Sequence, residues 1–281
     1  CLIIKQVIQS RGSNLDEIYC PKWVNSGRSS TRKVVKALQS HDKTTFDAAL
    51  FVLEHVYGAP LTLPVSPQLQ QLFDNSLNKS SLGGRRDFPL HRVMNLPTPE
   101  MRVKAVTALL NLGANPLQRN YARPMETPFQ LAIRRQHAEV VTIFLNRVFP
   151  AEALIAQVQI PKMVLNAPFL GASSAMLWAI NAPLLLQRES VIRALAAAGA
   201  STEVRDAASY DTPLQQAVRS GSVEMVSLLL QLGADTSART LIGADILTLA
   251  SQSPNREAIE AALRTHLEVA AQPDVTPGGQ S

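Results

Sequence analysis

The sequence predicts an all-α protein, a solenoid of stacked helix-turn-helix units with inserted loops or an extra helix and a helical extension ahead of them. The first observation is compositional. The chain is 46% hydrophobic and 17% charged, enough to bury a sizeable core. Aromatics are only 5% while Leu and Ala abound, which favours helices with small side chains at close contacts over sheets. The second observation is self-similarity. "DFPLHRVM" (87–94), "ETPFQLAI" (126–133), "SAMLWAI" (174–180), "DTPLQQAV" (211–218) and "DILTLAS" (245–251) share one layout: a small or polar residue, Pro or a substitute, then apolar residues closing a helical turn. Each of the first four is followed by a second apolar run: "VKAVTALLNLGANPL" (103–117), "AEVVTIFLNRVF" (138–149), "SVIRALAAAGASTEV" (190–204) and "SVEMVSLLLQLGADTSA" (222–238). Repetition on this scale marks a repeat architecture.

Ahead of the repeats, "TRKVVKALQ" (31–39) and "TTFDAALFVLEHVYGAP" (44–60) read as two helices, and "PQLQQLFDNSL" (67–77) as a third. Residues 1–80 thus form an N-terminal helical region, either a degenerate first repeat or a cap. "NKSSLGGRRD" (78–87) has the composition of a loop or boundary. The repeat domain spans 81–270, and "PAEALIAQVQIPKMVLNAPFLG" (150–171) is an insertion between units. Residues 271–281, rich in Pro and Gly, are expected to be an unstructured tail.

The unit at 212–239 shows the local logic. Thr212 caps a helix whose first position is Pro213, where a missing N–H is harmless. Gly221 ends that helix in the left-handed conformation. Ser222 opens a second helix, in which Val223, Met225, Val226, Leu228, Leu229 and Leu230 make a broad apolar face. Gly233 stops it, and "ADTSARTLIG" swings out as a turn. A lone pair of such short helices cannot cover its apolar faces, so neighbours must stack on it.

These residues make the chain resemble the ankyrin-repeat family, whose period is about 33 residues with a Thr-Pro-Leu-His-x-Ala signature. Pro213 and Ile246 are 33 residues apart. Pro89 to Pro128 is 39, Pro128 to Ala175 is 47 and Ala175 to Pro213 is 38, so insertions separate the other units. The resemblance covers roughly residues 84–268. It implies that His91 makes a structural hydrogen bond between units, and that Gln136-His137 replaces the family's Gly-His pair. It also places Trp178 in the core and puts Tyr210 where the family usually has Gly.

Catalytic chemistry is not suggested. The five histidines (His41, His55, His91, His137, His266) have no ligand partners at metal-binding spacing, and "LEHVY" (53–57) lacks the second histidine of a zinc helix. "GASSA" (171–175) lacks the last Gly of a nucleophile elbow, and "GG" at 83–84 lacks the Lys-Ser/Thr of a phosphate loop. No cofactor or metal site is expected. Cys1 and Cys20, the only cysteines, do not staple a fold of this length, which points to a reducing compartment such as the cytoplasm. The Asn78-Lys79-Ser80 triplet would be glycosylated only in a secretory lumen. No apolar run has the length of a membrane span.

The resemblance implies a protein-binding module that uses turn tips and the exposed face of each first helix. Mapped onto this chain, that surface comprises Arg85, Asp87, Arg123, Glu126, Arg134, Arg135, Asn181, Ser209, Tyr210, Asp211, Arg219 and Ser220. Residues 1–147 hold 19 Lys and Arg against 10 Asp and Glu, a net +9. Arg85, Arg123, Arg134, Arg135 and Arg219 would make the surface positive, so a partner with an acidic segment is expected. Reversing Arg134 and Arg135 to Glu is expected to weaken binding without unfolding. Nucleic acid fits less well, because no aromatic platform is interleaved with the basic residues. The alternative is the recognition arm of a larger enzyme, for example a secreted bacterial effector acting in a host cytoplasm. Its catalytic part would lie upstream of Cys1, since a chain opening on Cys rather than Met reads as a fragment or processed form. A third reading, residues 1–80 as a small enzyme, lacks paired acid and base residues.

Overall fold

The computed structural model describes residues 31–55, 57, 65–78, 87–121, 125–148, 165–166, 174–182 and 187–271. They form thirteen α-helices and, among the described residues, no strand. The chain divides into two compact units, 1–148 and 149–281. The first contains α1 (Thr31–Ala37), α2 (Lys43–His55), α3 (Pro67–Leu77), α4 (Pro89–Val93), α5 (Pro99–Asn111), α6 (Pro128–Arg134) and α7 (Ala138–Val148). The second contains α8 (Ala175–Ile180), α9 (Arg188–Ala197), α10 (Pro213–Ser220), α11 (Val223–Gln231), α12 (Ile246–Ser251) and α13 (Arg256–Ala271). Most of the expected insertion (150–171) and the tail beyond Ala271 lie outside the described residues, as do both cysteines.

Stacking follows the order of the helices. In the N-terminal unit α4 packs on α5 and α6 on α7, while first helix meets first helix (α4 with α6) and second meets second (α5 with α7). The C-terminal unit repeats the scheme: α8 packs on α10 and α10 on α12, with α11 on α13 behind them. Such contacts bury on a neighbour the apolar face that one short helix pair leaves open. The expected N-terminal helices follow suit, for α1 packs on both α2 and α3 within the first unit.

Helix starts are dictated by capping side chains. Thr127 and Thr212 each accept the backbone N–H three residues on, and Gln130 and Gln215 reach back to the caps' own N–H groups at 2.8 and 2.9 Å. Pro128 and Pro213 follow each cap, where the missing donor leaves nothing unsatisfied. Helix ends are set as expected at Gly221 (φ 74°). Ser222 caps α11, whose Met225, Val226, Leu228, Leu229 and Leu230 are buried; Val223 is only half-buried. Among the described residues two non-glycines take the left-handed conformation, Gln136 (φ 57°) and Tyr210 (φ 60°), at the two places where the sequence departs from Gly.

Side chains from one repeat close on carbonyls of the next. His91 Nε2 donates to Glu126 O at 2.9 Å, the inter-unit bond expected of it. Arg135 and His137 both donate to Met94 O. Ser253 Oγ donates to Val218 O and Asn255 Nδ2 to Gly221 O, each at 2.7 Å. Arg102, only 8% exposed, donates to half-buried Glu139 and to Leu96 O, an ion pair that sequence spacing did not reveal. Trp178 is half-buried rather than in the core. The short α8 sends Ala175, Met176, Leu177, Ala179 and Ile180 inward and leaves the indole at the edge. No described helix is long and apolar enough to cross a membrane.

Candidate interaction surfaces

Between helix pairs the chain turns outward in short fingers, and a backbone bond joins the two sides of each described finger. Asn120 N donates to Glu126 O, Asp206 N to Asp211 O, and Thr240 N to Ala244 O. Within the first finger Asn120 also bridges Asp87 and the Glu126 N–H, at 2.8 and 3.0 Å. Asp87 is thus half-buried and engaged rather than presented at a tip. In the second, Asp206 Oδ2 accepts from the N–H groups of Ala208 and Ser209 and from the Ser209 hydroxyl. This folds 206–211 tightly and leaves Ser209 and Tyr210 exposed.

Two expected contact residues are buried. Glu126 and Asp211, one position before the helix caps, are 3% and 1% exposed. Each is covered by the arginine eight residues later. Arg134 Nε and Nη2 donate to the two Glu126 oxygens, and Arg219 Nε donates to Asp211 Oδ2 at 2.7 Å. The carboxylates therefore anchor the arginines, and only the guanidinium groups, with side chains 40% and 46% exposed, reach the surface. Arg135 is turned inward to Met94 O and Asn95 Oδ1. Reversing Arg134 would set a second carboxylate against buried Glu126, and reversing Arg135 would remove one of the two donors to the Met94 carbonyl. The expectation that this leaves folding intact is corrected on that ground.

The remaining expected residues are dispersed. Asn181 is exposed and donates to Gln216 on the next first helix at 2.9 Å; Ser220 is exposed at the end of α10, with its hydroxyl turned back to Ala217 O. Arg85 and Arg123 lie outside the described residues.

The C-terminal unit holds an exposed group that the sequence reading missed. Leu241 and Ile242, at the tip of the third finger, are 73% and 86% exposed. The turn closes through Gly243 N to Thr240 O, and Arg239 Nη1 donates to Gly243 O. Arg205 ties this finger to the preceding one, its Nη1 donating to Arg239 O and to Tyr210 O at 3.0 Å each. Its guanidinium also stands 4.9 Å from the centre of the half-exposed Tyr210 ring, a cation–π contact. The signal available in the sequence was an adjacent Leu-Ile pair inside a turn, where apolar residues have nothing to bury them.

Among the described residues no cluster of His, Cys, Asp and Glu has metal-binding geometry. The family model for the ankyrin repeat matches residues 209–246. Among solved structures, the ankyrin repeat domain of Bcl-3, a member of the IkappaB protein family, aligns with a TM-score of 0.50 and 22% identity, covering 85% of this chain and 86% of that one. The ankyrin repeat protein EF0377 aligns with a TM-score of 0.54 and 17% identity, covering 83% of this chain and 97% of that one. The search of curated proteins finds no match. The resemblance read from the repeats therefore holds: the fold is that of the ankyrin-repeat proteins.

Proposed function

We infer that this chain is a non-catalytic module that holds a protein partner on its fingers and the adjoining ends of its first helices. The carrying observation is the pair of fingers in the C-terminal unit, where Leu241, Ile242 and Tyr210 are exposed on a framework tied by Arg205. Large apolar and tyrosine side chains stranded in solvent gain most from burial against another protein. Because backbone and arginine bonds already fix the fingers, little ordering entropy opposes binding. The excess of positive charge in 1–147 supports an acidic partner. Arg134 and Arg219 contribute less to that attraction than their number implies, because each faces its own carboxylate.

The test compares the full chain with a Leu241→Ser/Ile242→Ser variant in pull-downs from native lysate, with helix content checked by circular dichroism. Both residues are solvent-exposed, so the variant should fold normally and lose a specific partner. An identical set of captured proteins would count against the fingers as the binding surface.

A further inference from the structure

The junction between α4–α5 and α6–α7 and the junction between α10–α11 and α12–α13 use the same positions with different side chains. His91 is the third residue of α4, and its Nε2 donates to Glu126 O at 2.9 Å. Gln215 holds that place in α10, and its Nε2 donates to Ala238 O at 3.0 Å. His137 comes nine residues after Pro128, the first residue of α6, and donates to Met94 O at 3.2 Å. Asn255 comes nine residues after Ile246, the first residue of α12, and donates to Gly221 O at 2.7 Å. Where α8–α9 meets α10–α11, the corresponding residues are Leu177 and Ser222. Imidazoles at these positions therefore belong to one junction among the described residues. His266 of α13, half-buried, stands at neither position.

Both rings sit where an added proton is poorly accommodated. Glu126 O can only accept, so the neutral His91 ring carries its hydrogen on Nε2. Its Nδ1 is buried without a partner, and the residue is 2% exposed. The charged groups acting on it are Asp87 and Glu126, which favour the imidazolium. Both are already engaged: Asp87 Oδ1 accepts from Asn120, and the two Glu126 oxygens accept from Arg134. Burial opposes them and is the larger influence, holding the His91 pKa below its ordinary value. His137 faces Arg102 from α5, Arg135 from the end of α6 and Glu139 from α7, and Glu139 accepts from Arg102. Burial again leads, reinforced by Arg102, and lowers the His137 pKa too.

We propose that the junction between α4–α5 and α6–α7 is an acid-sensitive hinge, which opens when His91 and His137 take up protons while the α10–α13 stack stays closed. Opening lets water reach His91 Nδ1 and hydrate both rings, which the closed packing prevents. The carboxamides of Gln215 and Asn255 do not titrate, so the other junction has no such response. A ring freed to its ordinary value near 6.5 is charged over neutral by about thirtyfold at pH 5, so each can raise the open population by at most about that factor. The hinge shares no residue with the fingers of the C-terminal unit and stands whether or not they bind.

The test is hydrogen–deuterium exchange of the full chain at about pH 7.5 and about pH 5, read by mass spectrometry and corrected for the intrinsic pH dependence of exchange. Peptides from α4–α7 should lose protection by about tenfold or more at the lower pH and regain it on return to the higher one. Peptides from α10–α13 should keep theirs. A His91→Gln/His137→Asn variant gives this junction the side-chain types of the other and should abolish the difference, with unchanged helix content at about pH 7.5. If that variant does not fold, NMR titration of the imidazole C–H signals in the unaltered chain decides. Both rings should then titrate below the ordinary value, in step with the loss of protection. Unchanged protection in α4–α7, equal loss in both units, an undiminished acid response in the folded double variant, or rings titrating at the ordinary value would overturn the proposal. Loss of partner capture by the finger variant leaves this result unchanged, and the two readings are judged separately.

Discussion

Arg134 closes over Glu126, Nε and Nη2 meeting its two carboxylate oxygens at 2.8 and 2.9 Å, and in the other unit Arg219 covers Asp211 through a single bond from Nε to Oδ2 at 2.7 Å. In both cases the carboxylate is buried and the arginine is the lid. Removing the lid and removing what lies beneath it should therefore differ. Arg134→Ala strands a buried charge and should destabilise the protein by about 2–3 kcal/mol, less than a fully buried pair because the guanidinium is partly hydrated. Glu126→Gln leaves an arginine that can turn to water and should cost about 1 kcal/mol. Urea unfolding of both variants checks the order. Equal losses would show that Glu126 gains little from its partner.

Acid should loosen the N-terminal unit. His91 Nε2 donates to Glu126 O, so charging the ring would put a proton on Nδ1, which is buried without a partner. Burial accordingly pushes the His91 pKa down, and His137 is shifted the same way by burial with Arg102 nearby. In the unfolded chain both would protonate near the ordinary value of about 6.5. Below that value, down to the lower folded one, the unfolded state binds more protons, so stability falls as pH drops. Denaturation at about pH 7.5 and about pH 5 should show the loss, and His91→Gln should reduce the difference.

Two glycines separate backbone strain from crowding. A Cβ on Gly233 (φ 79°) would meet nothing within 4 Å, whereas one on Gly221 (φ 74°) would lie 3.2 Å from Pro254 Cβ. Gly233→Ala should cost only the left-handed backbone penalty, about 1 kcal/mol. Gly221→Ala should cost about 1–2 kcal/mol more, from pressure on the proline ring. Thermal unfolding midpoints of the two variants decide it.

Tyr210 tests whether a strained residue is kept for contact. At φ 60° glycine would be conformationally easier by about 1 kcal/mol, against which the Arg205 contact contributes about 0.5–1 kcal/mol at an exposed site. Tyr210→Gly should leave stability within about 0.5 kcal/mol of the original and still lose partner capture. A clear drop in melting temperature would instead make the ring structural.

What the sequence disclosed was whatever is local along the chain. Thr212, Pro213, Gly221 and Ser222 acted within one or two turns of their own position, and α3 fell on Pro67–Leu77 as its pattern required. The Glu126–Arg134 pair was not legible because partners eight residues apart are not neighbours on a helix. They meet because Glu126 lies just before the helix cap and the long Arg134 side chain reaches back to it from the last position of α6. Arg102–Glu139 joins adjacent repeats, and its spacing depends on loop lengths that no periodicity reveals. Tyr210 was found because it broke the repeat; Leu241 and Ile242 were overlooked because their turn was read by its Gly and Ser residues.

The bonds that close one repeat onto the next differ between two junctions: between α4–α5 and α6–α7, an imidazole on the Glu126 carbonyl and a guanidinium with a second imidazole on that of Met94; between α10–α11 and α12–α13, a hydroxyl and an amide on those of Val218 and Gly221. The Met94 and Val218 acceptors fall at equivalent places in the repeat, but the donors that meet them are chemically different. Excising a repeat and rejoining its flanks would bring together a donor cut for one neighbour and an acceptor left by another. Repeats of this chain therefore have a fixed order, and the protein should tolerate substitution at its fingers far better than shuffling, duplication or loss of whole units.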